Sequence, residues 1–194
     1  KSSAASDVYK RQAFTKPLLA NRQAETEATC NTIMKDDFML DLERKIEKII
    51  YKATLALDEN NWSGWFELCD ETFTYAITSF SPEINKNMTY FSGDKKELVG
   101  LMDMLPKHNT DHSPLHRHTS VYSIDIADDG KSATAISSVT IYQNMLDGIN
   151  SHLDSGESRL FVIGKYIDKF SIIDGQPKFV NRETKLDNSC LLYT

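Results

Sequence analysis

A chain of 194 residues with 22 basic and 28 acidic side chains carries a formal charge of −6. That balance argues against a nucleic-acid backbone or an anionic membrane as partner, because both reward positive charge. The length suffices to bury one real core, no apolar run is long enough to span a bilayer, and no signal-peptide core appears.

In chain order, residues 2–12 read SSAASDVYKRQ and follow neither a helical nor a strand period. That string resembles the translation of a transposase adapter used to prepare DNA libraries for sequencing. The reverse complement of its inner part encodes CLLYT, Cys190 to Thr194. Residues 1–12 and 190–194 are therefore read as translated adapter from an environmental read and set aside, with the native C-terminus expected to lie further on. Removing three bases, Lys1, Lys10 and Arg11, and one acid, Asp7, moves the charge from −6 to −8. Residues 13–33 are polar and weakly periodic. Met34 opens MKDDFMLDLERK like a gene start, so 13–33 is either translated upstream DNA or an arm that docks on a partner. Residues 34–189 read as one domain. Of three cysteines, Cys190 is adapter. Cys30 and Cys69 form no CxxC and no zinc spacing, which suits a reducing, cytoplasmic setting.

The strongest helical signal covers residues 36–57. Met39, Leu42, Ile46, Ile49, Ile50, Ala53 and Leu57 recur at spacings of three and four and form one apolar stripe. Asp36 and Asp37 at its front suit the helix dipole. After Asp58-Glu59-Asn60-Asn61, WSGWFELCD predicts a short helix with Trp62, Trp65, Phe66 and Cys69 inward and Ser63 as cap. The period then changes to two: Phe73, Tyr75 and Ile77 alternate with Thr72, Thr74 and Ala76, the mark of a strand. SPEINKN reads as a loop and MTYFSG as a short strand. DKKELVGLMDMLPKH predicts a helix capped by Asp94, with Glu97 completing a capping box, Leu98, Leu101, Met102 and Leu105 on one face, and Pro106 as its end.

From Leu115 onward the pattern is antiparallel sheet. TSVYSIDI leads to an Asp128-Asp129-Gly130 turn, then SATAISSVTIYQNM, a polar connection, RLFVIGKYIDKFSII, an Asp174-Gly175 turn and PKFVNRETKL. Asp-Gly between alternating runs is a hairpin signal. The uneven spacing of Val121, Ile124 and Ile126 predicts a bulge near Tyr122 or Ser123. Helices first and strands after give an α+β class, helices packed on one face of a curved antiparallel sheet.

Three stretches carry a family likeness: KATLALDENNWSGWFELCDETFTYAI, LPKHNTDHSPLHRHTSV and GKYIDKFSIIDGQPKFVNRETKLDN. Together they span most of residues 45–188. The chain resembles the small (β) subunit of aromatic-ring-hydroxylating dioxygenases, Rieske-type oxygenases with the cone-like α+β fold of the nuclear transport factor 2 superfamily, to which SnoaL-like proteins also belong. It departs from that pattern in four places. Thr78 stands where the family has proline, Ser120 where it has asparagine, Leu115 where it has arginine, and Pro177 where it has tryptophan. The resemblance implies an accessory role, not catalytic alone: structural support for a large (α) subunit that holds the Rieske iron–sulfur cluster and the mononuclear iron, in an α3β3 assembly. Within the family, alkylsulfonate oxygenases are the first branch to test. The chain itself lacks the means for that chemistry, since two native cysteines at unsuitable spacing cannot hold a cluster and no glycine-rich dinucleotide motif occurs.

The sharpest local feature is four histidines within eleven residues: His108, His112, His116 and His118. Four-residue intervals suit a metal on a helix, but Pro106 and Pro114 break that geometry. Solvated and interface histidines are the leading reading. The alternative is a stand-alone dehydratase or isomerase, with His116 or His118 as general acid or base beside Tyr75 or Asp168. Asp168 with Arg182 reads as a structural cross-strand salt bridge, the aromatic residues Trp62, Trp65, Phe66 and Tyr75 as core, Cys69 as a buried inert thiol, and Asp125, Asp128 and Asp129 as a solvated turn.

Overall fold

The computed structural model describes residues 34–82, 85–108, 113–145 and 157–187, without the side chains of 105, 106 and 108. The adapter-like ends, residues 13–33 and His112 lie outside the described residues. The chain divides into two units at Asp41 and Leu42. Of the first, the described part is residues 34–41, which are helical.

Helix α1 covers residues 34–58. Over its second-unit portion the predicted stripe is the buried one: Leu42, Ile46, Ile49, Ile50 and Ala53 are all removed from water. The helix stops where Asn60 takes a left-handed φ of 55°, a conformation asparagine tolerates better than most residues. Helix α2, Trp62–Glu67, follows at once. Its cap is Asn61, whose side chain accepts from the Gly64 N–H at 3.0 Å. Ser63 is not the cap; it lies inside the first turn and its hydroxyl donates to the same Asn61 oxygen. Trp65 is fully buried, whereas Trp62 and Phe66 are half-buried.

Six strands follow: β1 (Cys69–Ser81), β2 (Lys86–Asp94), β3 (Leu115–Ile126), β4 (Ser132–Asn144), β5 (Ser158–Ile173) and β6 (Gln176–Leu186), with helix α3 (Lys95–His108) between β2 and β3. The α3 capping box forms as its residues predict. The Glu97 N–H donates to Asp94 Oδ1 at 2.8 Å, and the Asp94 N–H donates to Glu97 Oε2 at 3.0 Å. Pro106 does not end the helix, which runs on to His108. Pro106 thus sits in the last turn, where it forfeits one N–H bond, and only two residues follow it.

The strands form one mixed sheet in the order β2-β1-β6-β5-β4-β3. Pairing is antiparallel everywhere except between β1 and β6, which run parallel. The expectation of a wholly antiparallel sheet is corrected there. Alternation reveals which face a side chain occupies but not the direction of a neighbour far away in sequence. β3, β4 and β5 pair antiparallel as expected, and the bulge falls at Tyr122, between Val121 and Ser123. Asp174 and Gly175, with φ of 52° and 69°, turn β5 into β6 between the paired Ile173 and Gln176. Two residues with positive φ match the twist of a hairpin.

One face of the sheet is buried. Val139 and Ile141 of β4, Val162 and Tyr166 of β5 and Leu186 of β6 pack as one cluster. The helices cover that face: Thr54 of α1 donates to Thr119 of β3, and Lys45 donates to the Gly175 carbonyl at 3.1 Å.

Candidate functional site

The polar groups on the buried face centre on two strands. Asp168 of β5 stands directly opposite Arg182 of β6, and alternation turns both inward. They are 0 % and 1 % exposed. The contact is two-pronged: Arg182 Nε donates to Asp168 Oδ1 at 2.7 Å and Nη2 donates to Oδ2 at 2.8 Å. The guanidinium carbon lies 4.3 Å from the Tyr166 ring centroid and 4.6 Å from that of Phe179, so two aromatic rings cover the cation. Its Nη1 is buried with no hydrogen-bond partner. Burial pulls the Arg182 pKa down, but the charge and hydrogen bonds of Asp168 outweigh it and the net shift is upward. The guanidinium stays charged, and the predicted cross-strand salt bridge is a buried one.

Two neighbours, Tyr166 and Cys69, are equally unsuited to proton exchange near neutrality. Burial pushes the Tyr166 phenol up to about 12, with the Arg182 charge opposing. Tyr75 is half-buried on β1; its hydroxyl lies 3.0 Å from Thr184 Oγ1, and its ring meets Trp65 edge-on with centroids 5.9 Å apart. Cys69 opens β1 rather than closing α2, and its thiol donates to the Trp65 carbonyl. Burial pushes that thiol up to about 12, with Arg182 and Lys95 opposing, so it is protonated and inert as expected.

His116 and His118 lie elsewhere. Both are exposed on β3, alternating with Leu115, Arg117 and Thr119. Their rings meet edge to face at 5.0 Å, and His118 meets Tyr142 of β4 at 5.6 Å. His118 pairs with Thr140, whereas the buried face of β4 is the one carrying Val139 and Ile141. The four residues of the acid–base alternative thus divide between the two faces: Tyr75 and Asp168 on the helix side, His116 and His118 on the other. His116 Nδ1 stands 3.6 Å from Asp58 Oδ2 with its side chain 59 % exposed. Among the described residues no three His, Cys, Asp or Glu side chains gather at metal-binding distance.

Arg117 and Asp58 escaped the sequence reading. Arg117 Nη1 donates to Asp58 Oδ1 at 2.6 Å, and its backbone N–H donates to Oδ2 at 3.0 Å, locking edge strand β3 to the end of α1. The available signal was an arginine at an inward position of an alternating strand, overshadowed by two flanking histidines.

A family model described as a SnoaL-like domain matches residues 39–183. The β subunit of the methanesulfonate monooxygenase hydroxylase from Methylosulfonomonas methylovora is 52 % identical over 143 residues, 74 % of this chain and 79 % of that protein. The β subunit of 2-aminobenzenesulfonate 2,3-dioxygenase from Alcaligenes sp. is 25 % identical over 150 residues, 76 % of this chain and 93 % of that protein. Among solved structures, a chain assigned as the β subunit of an aromatic-ring-hydroxylating dioxygenase from Novosphingobium aromaticivorans superposes with a TM-score of 0.59 at 20 % identity, covering 75 % of this chain and 88 % of that one. The last likeness speaks to the fold alone, an α+β cone.

Proposed function

The chain belongs to the SnoaL-like domain family, and on that premise we propose that it is the non-catalytic small (β) subunit of a sulfonate oxygenase. The observation that carries this reading is the 52 % identity to the methanesulfonate monooxygenase β subunit. An alkylsulfonate is therefore the proposed substrate class of the complete enzyme, and a large (α) subunit the proposed partner, in an α3β3 assembly. The Rieske cluster and mononuclear iron implied by the resemblance are placed in that partner. The donor set here does not suit them: the one free thiol among the described residues, Cys69, is buried and holds its proton, and cluster ligation needs several thiolates.

The interior supports the same reading. Where an enzyme of this fold class would need convergent groups titrating near neutrality, the described interior holds a closed ion pair under two aromatic rings and a phenol pushed up to about 12.

The test is co-expression with a methanesulfonate monooxygenase large subunit, isolation of the complex by size, and turnover of methanesulfonate per iron site. A His116→Ala/His118→Ala variant should assemble and turn over within about twofold of the parent, since exposed interface histidines typically contribute about 1 kcal/mol or less. A general acid or base lost from the reaction path would instead cost about a hundredfold or more in intact complex. That result, or turnover by the small chain alone, would overturn the proposal.

A further inference from the structure

Helix α1 stacks some of its like charges. Arg44, Lys48 and Lys52 follow one another at four-residue intervals, and Glu43 and Glu47 do the same. A helix face that meets only solvent gains from opposite charges at that spacing and loses by like ones. Here the like charges are stacked. The lysine side of the stack lines a cleft of about 290 Å³ between α1, the end of α2 and the β5–β6 hairpin. Lys45, Lys48, Lys52 and, from β6, Lys178 surround it. Glu67 is the one acidic lining residue, and Ile49 and Pro177 supply an apolar floor. Four ammonium groups thus gather in one cleft of a chain whose net charge is −6.

We propose that this cleft is a docking surface for an acidic segment of the large subunit, with one apolar side chain of that segment seated on Ile49 and Pro177. The inference rests on the small-subunit reading above and adds where the partner engages. The occupant is argued from how the lysines are placed. A small anion is held by convergent, buried donors, yet Lys48, Lys52 and Lys178 are exposed. The half-buried Lys45 already donates to the Gly175 carbonyl. Exposed ammonium groups around an apolar floor suit an extended acidic surface. Charge complementarity of this kind steers encounter and fixes register.

The test uses the co-expressed complex and two triple variants. Lys48→Glu/Lys52→Glu/Lys178→Glu reverses the cleft. Lys165→Glu/Lys169→Glu/Lys185→Glu makes the same charge change on exposed lysines of β5 and β6 that line no part of it. Binding of each purified small chain to the large subunit is measured by sedimentation in low and high salt. The cleft variant should bind at least about tenfold more weakly near 0.1 M salt, and the gap should narrow toward 1 M as screening shortens the reach of the charges. The second variant should bind like the parent. Equal binding by the cleft variant and the parent, or equal loss in both variants, would overturn the proposal while leaving the small-subunit reading intact. Failure of the parent chain to bind at all would instead sink that reading. Should the cleft variant fold poorly by circular dichroism, the neutral Lys48→Gln/Lys52→Gln/Lys178→Gln replaces it, with a smaller but salt-sensitive loss expected; no loss there would equally reject the cleft.

Discussion

Asp168 and Arg182 sit where neither could remain alone. A carboxylate and a guanidinium, both withdrawn from water, lose hydration that their mutual bonds only partly replace, so removing one partner exposes the whole desolvation cost of the other. Asp168→Ala should therefore cost about 3–5 kcal/mol in urea unfolding, whereas the paired change Asp168→Leu/Arg182→Met should cost clearly less than the two single changes added together. An additive result would show that the two side chains are not coupled. Two buried acids add a pH signature. Burial raises Cys69 from 9.0 to about 12 and Tyr166 from 10.0 to about 12. The native state then keeps protons that the unfolded chain releases, so this contribution is complete below about pH 9 and fades as pH rises toward 12. Cys69→Ala should flatten the fall in stability between pH 9 and 10 and leave the steeper fall above 10 that belongs to Tyr166. An unchanged slope below pH 10 would show that Cys69 does not titrate differently in the two states.

At the scale of elements, two glycines show where backbone approach governs the sheet. A Cβ at Gly164 of β5 would collide with the Lys185 carbonyl oxygen and meet Leu186 Cα at 3.1 Å. These are backbone atoms of the paired strand and cannot swing away. Gly164→Ala should cost at least about 2 kcal/mol, in the range for forced overpacking. A Cβ at Gly175 would meet only Lys45 Nζ, at an ordinary 3.8 Å, but φ there is 69°, so Gly175→Ala should cost only about 1–2 kcal/mol, the left-handed penalty for a single residue. Thermal melts of both should rank Gly164→Ala as the worse; the reverse order would mean that the strands separate there more easily than their register suggests. Helix α3 offers a further check. Asp94→Ala removes half of the reciprocal cap and should cost about 1 kcal/mol.

For the whole molecule, the decisive property is that its two sheet faces do different work. The helix-covered face holds the core and the buried ion pair. The other carries His116 and His118 together with exposed Ile136 and Ile163. Treating the isolated small chain with a strong iron chelator should leave its melting temperature unchanged, while the same treatment of the assembled complex should abolish turnover. A chelator-induced drop in the melting temperature of the isolated chain would reveal a metal held by its own residues. Among the described residues no helix is long and apolar enough to cross a membrane.

Much of this protein is decided by local rules. The stripe Leu42, Ile46, Ile49, Ile50 and Ala53, the Asp94–Glu97 box, the Asp174-Gly175 turn and the bulge at Tyr122 depend on spacings within a few residues, and the sequence by itself determined them. Family membership was legible too, because it rests on short stretches read in order. Other features were not. Parallel pairing of β1 with β6 joins strands about a hundred residues apart, and period-two alternation carries no direction. Ser63 lost the capping role to Asn61 because both are good caps and only backbone geometry chooses between them. The candidate residues Tyr75, Asp168, His116 and His118 look alike as polar groups on strands. Which share a face depends on register across the five strands β1, β6, β5, β4 and β3, so only the tertiary structure could divide them. The lysine cleft has the same origin: Lys45, Lys48 and Lys52 form a visible row on one helix, but Lys178 reaches it only because the last hairpin folds back against α1.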